Sequence, residues 1–78
     1  MAKTKKPEIV ALMSDLGNKD FFVGAMKGTI LKINPQAKVV DITHEVPKFN
    51  IWSAGFTLFQ AARSFSHQTV FVTVVDPG

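Results

Sequence analysis

The sequence predicts an α/β fold, a βαβαβ unit with parallel strands. Three observations carry that expectation. Short apolar runs rich in Ile and Val alternate with longer segments of helical periodicity. The order is strand, helix, strand, helix, strand, without internal repeat or low-complexity stretch. Polar residues able to do chemistry gather just after each apolar run. Two βαβ units in succession favour parallel strands joined by right-handed crossovers.

Glu8–Ser14, "EIVALMS", is a near-continuous apolar run, and its length and β-branched content predict a strand buried on both faces. Asp15–Asn18, "DLGN", carries turn chemistry, with Gly17 able to take a positive φ. From Asp20 to Asn34, Phe22, Val23, Met26, Ile30 and Ile33 recur at helical spacing. Asn18 or Asp20 is placed to cap that helix, and the residue before Pro35 ends it. Gly24 and Gly28 each cost about 1 kcal/mol relative to Ala inside a helix. Lying on one face, they permit close approach to a sheet or a ligand, with close packing expected ahead of ligand contact. Lys38–Thr43, "KVVDIT", is the second strand, followed by the polar bend "HEVPKFN". Ile51–Phe65 is apolar nearly all round, which predicts a buried helix with Asn50 as its N-cap. Thr69–Val75, "TVFVTVV", is the third strand, reached through the turn "SHQ".

Composition bounds the reading. Seventy-eight residues make at most one small domain, which buries only about 60% of the surface its unfolded chain exposes. With no cysteine there is no disulfide framework, and no His or Cys spacing suggests structural zinc. Yet 46% of the residues are apolar and seven are Phe, which predicts apolar faces that meet further chain or another subunit. The net charge is +3, and Lys3, Lys5 and Lys6 fall in a polar leader, residues 1–7, expected to be flexible. Without a basic helix face or Arg cluster, that leader does not predict nucleic-acid binding. The leader lacks a signal peptide's apolar core, and no run approaches the ~18 apolar residues that span a membrane. Cytoplasm is the default expectation.

Parallel strands place their carboxyl ends along one sheet edge, where open α/β sheets bind ligands. Asp15, Thr43–Glu45 and Asp76 all fall at those ends. Asp15 is either a turn residue bonding its own backbone or a rigid carboxylate accepting two ribose hydroxyls. The turn lacks G-x-G-x-x-G, and the chain lacks a P-loop, so an ordinary dinucleotide or triphosphate site is not expected. Asp20, expected in the first helical turn, would favour the macrodipole by about 0.3–1 kcal/mol, and capping explains it as well as ligand contact. His44 and Glu45 are adjacent in an extended bend and would point apart, so a surface or backbone-bonding role is expected ahead of catalysis. His67, on the opposite edge, reads as structural or solvated. Phe49 either stacks on a planar base or packs in the core. Trp52 and Phe56 read as core or interface. No Ser/His/Asp arrangement and no metal-ligand spacing stands out.

Three stretches, "MSDLGNKDFFVGAMKGTI", "INPQAKVVDITHEVPKFNI" and "VVDPG", together resemble the S-adenosyl-L-methionine (SAM) hydrolases that form adenosine. These are the SAM hydroxide adenosyltransferases, relatives of fluorinase and chlorinase. The likeness runs from about Ile9 to Gly78. It implies an N-terminal α/β domain followed by a β-rich domain, assembled as a homotrimer with sites between subunits. It further implies that Asp15 binds the ribose hydroxyls, Asp20 contacts the methionine amino group, and Phe49 lines the nucleoside pocket. Asp76 belongs, by the same resemblance, to an Asp-Arg-His set that activates water. The halogenating relatives carry Tyr there. SAM is then the substrate, adenosine and L-methionine are the products, and no cofactor or metal is required.

The resemblance covers only the opening third or so of such an enzyme. Residues 8–78 are therefore expected to be a partial N-terminal α/β domain, lacking the C-terminal domain and the Arg and His partners of Asp76. The chain alone is expected to be inactive. The alternative reading is a non-catalytic α/β module that binds nucleosides or another protein, with no nucleic-acid or membrane partner.

Overall fold

In the computed structural model, residues 9–78 are described; the leader 1–7 and Glu8 lie outside them. Strand β1 (Ile9–Ser14) lies in the middle of a three-stranded parallel sheet, flanked by β2 (Lys38–Thr43) and β3 (Val70–Val74) in the order β2-β1-β3. Helix α1 (Phe22–Ile33) joins β1 to β2, and α2 (Ile51–Ala62) joins β2 to β3. The expected α/β architecture and element order are therefore what the chain adopts.

β1 is central because it alone is apolar enough to be covered on both faces. Ala11, Leu12 and Met13 have no exposed surface. Val10 and Leu12 pack with Ala37, Ile30, Val39 and Val72 in a cluster that includes α1. Met13 packs with Val46, Ala54, Ile42, Leu58 and Val75 in a cluster that includes α2. Alternation along the strand thus sends neighbouring side chains to opposite faces, one under each helix. Burying a side chain such as Leu12 contributes about 1.5–3 kcal/mol.

The β1–β2 register runs Leu12↔Asp41 and then Met13↔Thr43, passing over Ile42. An irregularity of this kind re-aims side chains at the strand end. Here Ile42 joins the α2-side core while Asp41 reaches Lys27 on α1.

Helix ends follow local chemistry, with one correction. Asn50 caps α2 as expected, its Oδ1 accepting from the Ser53 amide at 3.0 Å. α1 ends at Ile33, and the Asn34 amide bonds the Ile30 carbonyl just before Pro35. Its start differs from expectation. The helix begins at Phe22 with Phe21 in the N-cap position and no side-chain cap. Asp20 therefore stands ahead of the first turn, and its Oδ1 accepts from the Phe21 amide at 2.7 Å. Phe21 already has αR geometry (φ −83°, ψ −6°), whereas side-chain capping of the N2 or N3 amide uses an extended N-cap residue.

Two packing expectations are also corrected. A Cβ at Gly24 or Gly28 would meet nothing within 4 Å, so neither glycine serves close packing. The helix meets the sheet through Val23 and Ile30 instead. α2 is not a buried helix: only Ala54 is buried, while Trp52 is 86% exposed and Phe56 and Phe59 are largely open. One sheet face covers one stripe of a helix, and nothing among the described residues covers the other. No helix of the described residues is long and apolar enough to cross a membrane.

Candidate functional site

The carboxyl ends of all three strands meet at one edge, as parallel pairing requires. Asp15 immediately follows β1 and is 5% exposed. Its amide donates to the Val74 carbonyl at 3.2 Å, and its Oδ2 accepts from the Asp76 amide at 3.0 Å. The described residues give Oδ1 no donor. The Asp15 carboxylate is thus buried, with one oxygen held by the backbone of the β3 end.

Asp76 follows β3 in an exposed turn, where its Oδ1 accepts from the Gly78 amide at 2.9 Å. A Cβ at Gly78 would lie 3.7 Å from Phe49 Cβ, which places the Phe49 side chain against this turn. Phe49 itself is 60% exposed and holds a positive φ of 61°. Such a conformation is uncommon for a bulky residue and costs on the order of 1–3 kcal/mol. Asp15 and Asp76 are thus joined directly, and Phe49 lies beside Gly78, two residues beyond Asp76. Asp20 is exposed, and its described bond goes to the Phe21 amide, not to these three.

A fourth group was missed by sequence reasoning. His44 is 2% exposed, its Nδ1 lies 2.6 Å from Ser14 Oγ, and its Nε2 lies 2.7 Å from Asp41 Oδ1. Lys27 Nζ closes the row on Asp41 Oδ2 at 2.6 Å. The expectation of a surface role for His44 is therefore corrected, and Ser14, His44 and Asp41 form a hydrogen-bonded row. The backbone-bonding role does hold, since the His44 carbonyl accepts from the Gly17 amide at 2.7 Å. The available signal was topological: Ser14 and His44 stand at the ends of neighbouring strands.

Burial pushes the Asp41 carboxyl up, but hydrogen bonds from Lys27 and His44, with the charge beside them, outweigh that and hold its pKa below the ordinary value. Ser14 has no exposed surface, so it cannot reach a substrate as a nucleophile. Among the described residues, no three His, Cys, Asp or Glu side chains form a metal-holding group. An apolar groove of about 300 Å³ lies between α1 and the sheet, lined by Leu12, Ala25, Met26, Thr29, Ile30 and Val72. It holds no titratable group and is not lined by Asp15, Asp76 or Phe49.

Comparison with known proteins identifies the family. The SAM hydroxide adenosyltransferase N-terminal domain family matches residues 10–78. An (R)-S-adenosyl-L-methionine hydrolase of Methanocaldococcus jannaschii is 42% identical over 74 residues, 90% of this chain and 28% of that protein. A fluorinase of an Actinoplanes species is 35% identical over 69 residues, covering 88% of this chain and 23% of that protein. Among solved structures, an uncharacterized conserved protein from Thermotoga maritima superposes with a TM-score of 0.84 at 43% identity, over 88% of this chain and 26% of that one. A conserved hypothetical protein from Thermus thermophilus gives 0.79 at 34% identity, over 91% of this chain and 30% of that one. The chain spans 23–28% of the length of these two named enzymes. With its family match running through β1, both helices and β3, the chain belongs to the SAM hydroxide adenosyltransferase N-terminal domain family.

Proposed function

We propose that the full-length protein containing this chain hydrolyses S-adenosyl-L-methionine to adenosine and L-methionine. The observation that carries this reading is Asp15, a buried carboxylate at the ligand-binding edge with one oxygen held by the Asp76 amide and the other unengaged. Such a group suits the vicinal hydroxyls of a ribose, and the family supplies SAM as the nucleoside.

The chemistry is balanced without a cofactor. Water oxygen forms a bond to C5′ as the C5′–S bond breaks; the electron pair goes to sulfur, which leaves as neutral methionine, and the proton lost by water passes by way of Asp76 to bulk solvent. Asp76 would accept a hydrogen bond from that water, orienting its lone pair in line with the breaking bond, and would stabilise the positive charge developing on oxygen. Asp15 would fix the ribose so that C5′ stays in line, Phe49 would lie against the base, and Asp20 would meet the methionine amino group. The exposed Trp52, Phe56 and Phe59 surface supports covering by further chain or by another subunit, and a homotrimer is the proposed assembly. No metal or further cofactor is assigned a part, and the proposed compartment is the cytoplasm.

The test is incubation of the full-length protein with SAM in ¹⁸O-water. Adenosine labelled at the 5′ oxygen, with one methionine per adenosine, is the expected result. Adenosine binding without turnover would replace this reading with a non-catalytic nucleoside-binding module.

A further inference from the structure

We infer that His44 is a positioning residue for the Asp15 carboxylate, acting through Ser14 and the Gly17 amide. The inference rests on the proposal that Asp15 holds a ribose.

Donor and acceptor roles fix the direction of the network. The Asp41 carboxylate only accepts, so in the neutral imidazole Nε2 carries the proton and Nδ1 must accept. Ser14 Oγ then donates to Nδ1 while accepting from the Leu16 amide at 3.2 Å. The two amides that follow Asp15 are thereby occupied: Leu16 bonds Ser14 Oγ, and Gly17 bonds the His44 carbonyl. Each of these bonds anchors a residue within two positions of Asp15, and none touches its carboxylate. The Val46 amide adds a further tie by donating to the Ser14 carbonyl at 3.2 Å.

The burial pattern shows why a histidine is needed. Ser14 and His44 are both almost wholly buried, so each polar atom must find its partner inside the protein. An apolar side chain at 44 would leave the Ser14 hydroxyl without its acceptor. The hydroxyl would then turn elsewhere, and the turn that carries Asp15 would lose its fixed geometry. Lys27 and Asp41 act from the half-exposed end of the row, holding the imidazole in one ring orientation.

The experiment compares adenosine with 2′,3′-dideoxyadenosine, which lacks the hydroxyls Asp15 is proposed to hold. Both are titrated by calorimetry into the full-length protein and its His44→Phe, Ser14→Ala and Asp41→Asn variants. The unaltered protein should prefer adenosine by about tenfold or more, the worth of a hydrogen bond to a charged group. His44→Phe and Ser14→Ala should lose most of that preference through weaker adenosine binding, with dideoxyadenosine affinity unchanged. Asp41→Asn, at a half-exposed position that leaves the core intact, should lose part of it. Equal weakening of both ligands, or a preference retained in all three variants, overturns the positioning role. No preference in the unaltered protein overturns the ribose reading of Asp15, and the positioning role with it.

Discussion

The Asp76 main-chain amide donates to Asp15 Oδ2 at 3.0 Å, joining the ends of β3 and β1. The bond uses Asp76 backbone and Asp15 side chain, so the two acids can be separated by mutation. Asp76→Ala keeps the amide and should leave adenosine affinity near its original value while lowering kcat by about 10²-fold or more. Asp15→Asn keeps an acceptor for the amide but removes the charge, and should raise KM and weaken adenosine. Steady-state kinetics with calorimetry on the full-length protein check both.

Glycine substitutions should divide by backbone geometry. Gly24 and Gly28 face open space in a helix, so Gly24→Ala and Gly28→Ala should each stabilise α1 by about 0.5–1 kcal/mol. Gly17 has a φ of 74°, and Gly17→Ala should destabilise the turn by about 1–2 kcal/mol. Amide hydrogen exchange across α1 and β1 reads the two effects locally.

Asn50→Ala should destabilise α2 by about 1 kcal/mol, because the Ser53 amide loses its cap. Asp20→Ala should cost α1 far less, since Asp20 bonds only the residue next to it and stands outside the helix. Hydrogen exchange of the first-turn amides in each helix distinguishes the two.

Acid should unfasten Asp41. Its folded pKa lies below the ordinary 3.8, so in the window below that value the unfolded chain binds more protons than the folded one. The stability Asp41 contributes is therefore present above 3.8 and is lost as pH falls through its folded pKa. The difference in urea midpoint between the unaltered protein and Asp41→Asn should shrink over that range. Lys27→Met should narrow the same difference at neutral pH, but only slightly, because the pair is half-exposed and such pairs contribute about 0–1 kcal/mol.

The fold was legible because β1 is apolar on both faces and its neighbours alternate with helical segments. Strand ends fixed which side of the sheet held Asp15 and Asp76, and the structure joins those two directly. Other features depended on three-dimensional reach. Asp20 fits a cap by residue type, and the helical geometry of Phe21 is what displaces it. The openness around Gly24, Gly28 and most of α2 depends on how much sheet is present to cover a helix, which periodicity does not count. His44 reaches Asp41 locally, but its other partner, Ser14, lies 30 residues away, and no spacing rule along the chain marks such a pair.

The strand order has a consequence for how the protein is made. β1 pairs at Val10 with Val39 on one side and Val70 on the other, so no sheet bond joins neighbouring stretches of chain. Non-local pairing of this kind slows folding, since long loops must close before any ladder forms. During synthesis β1 waits for β2, and then for β3, which emerges last of the five elements. Asp15 gains its amide partner only when that last strand has docked. A nucleoside that binds only the completed edge would then favour the docked strand by mass action. Binding at this edge and docking of β3 would then be coupled.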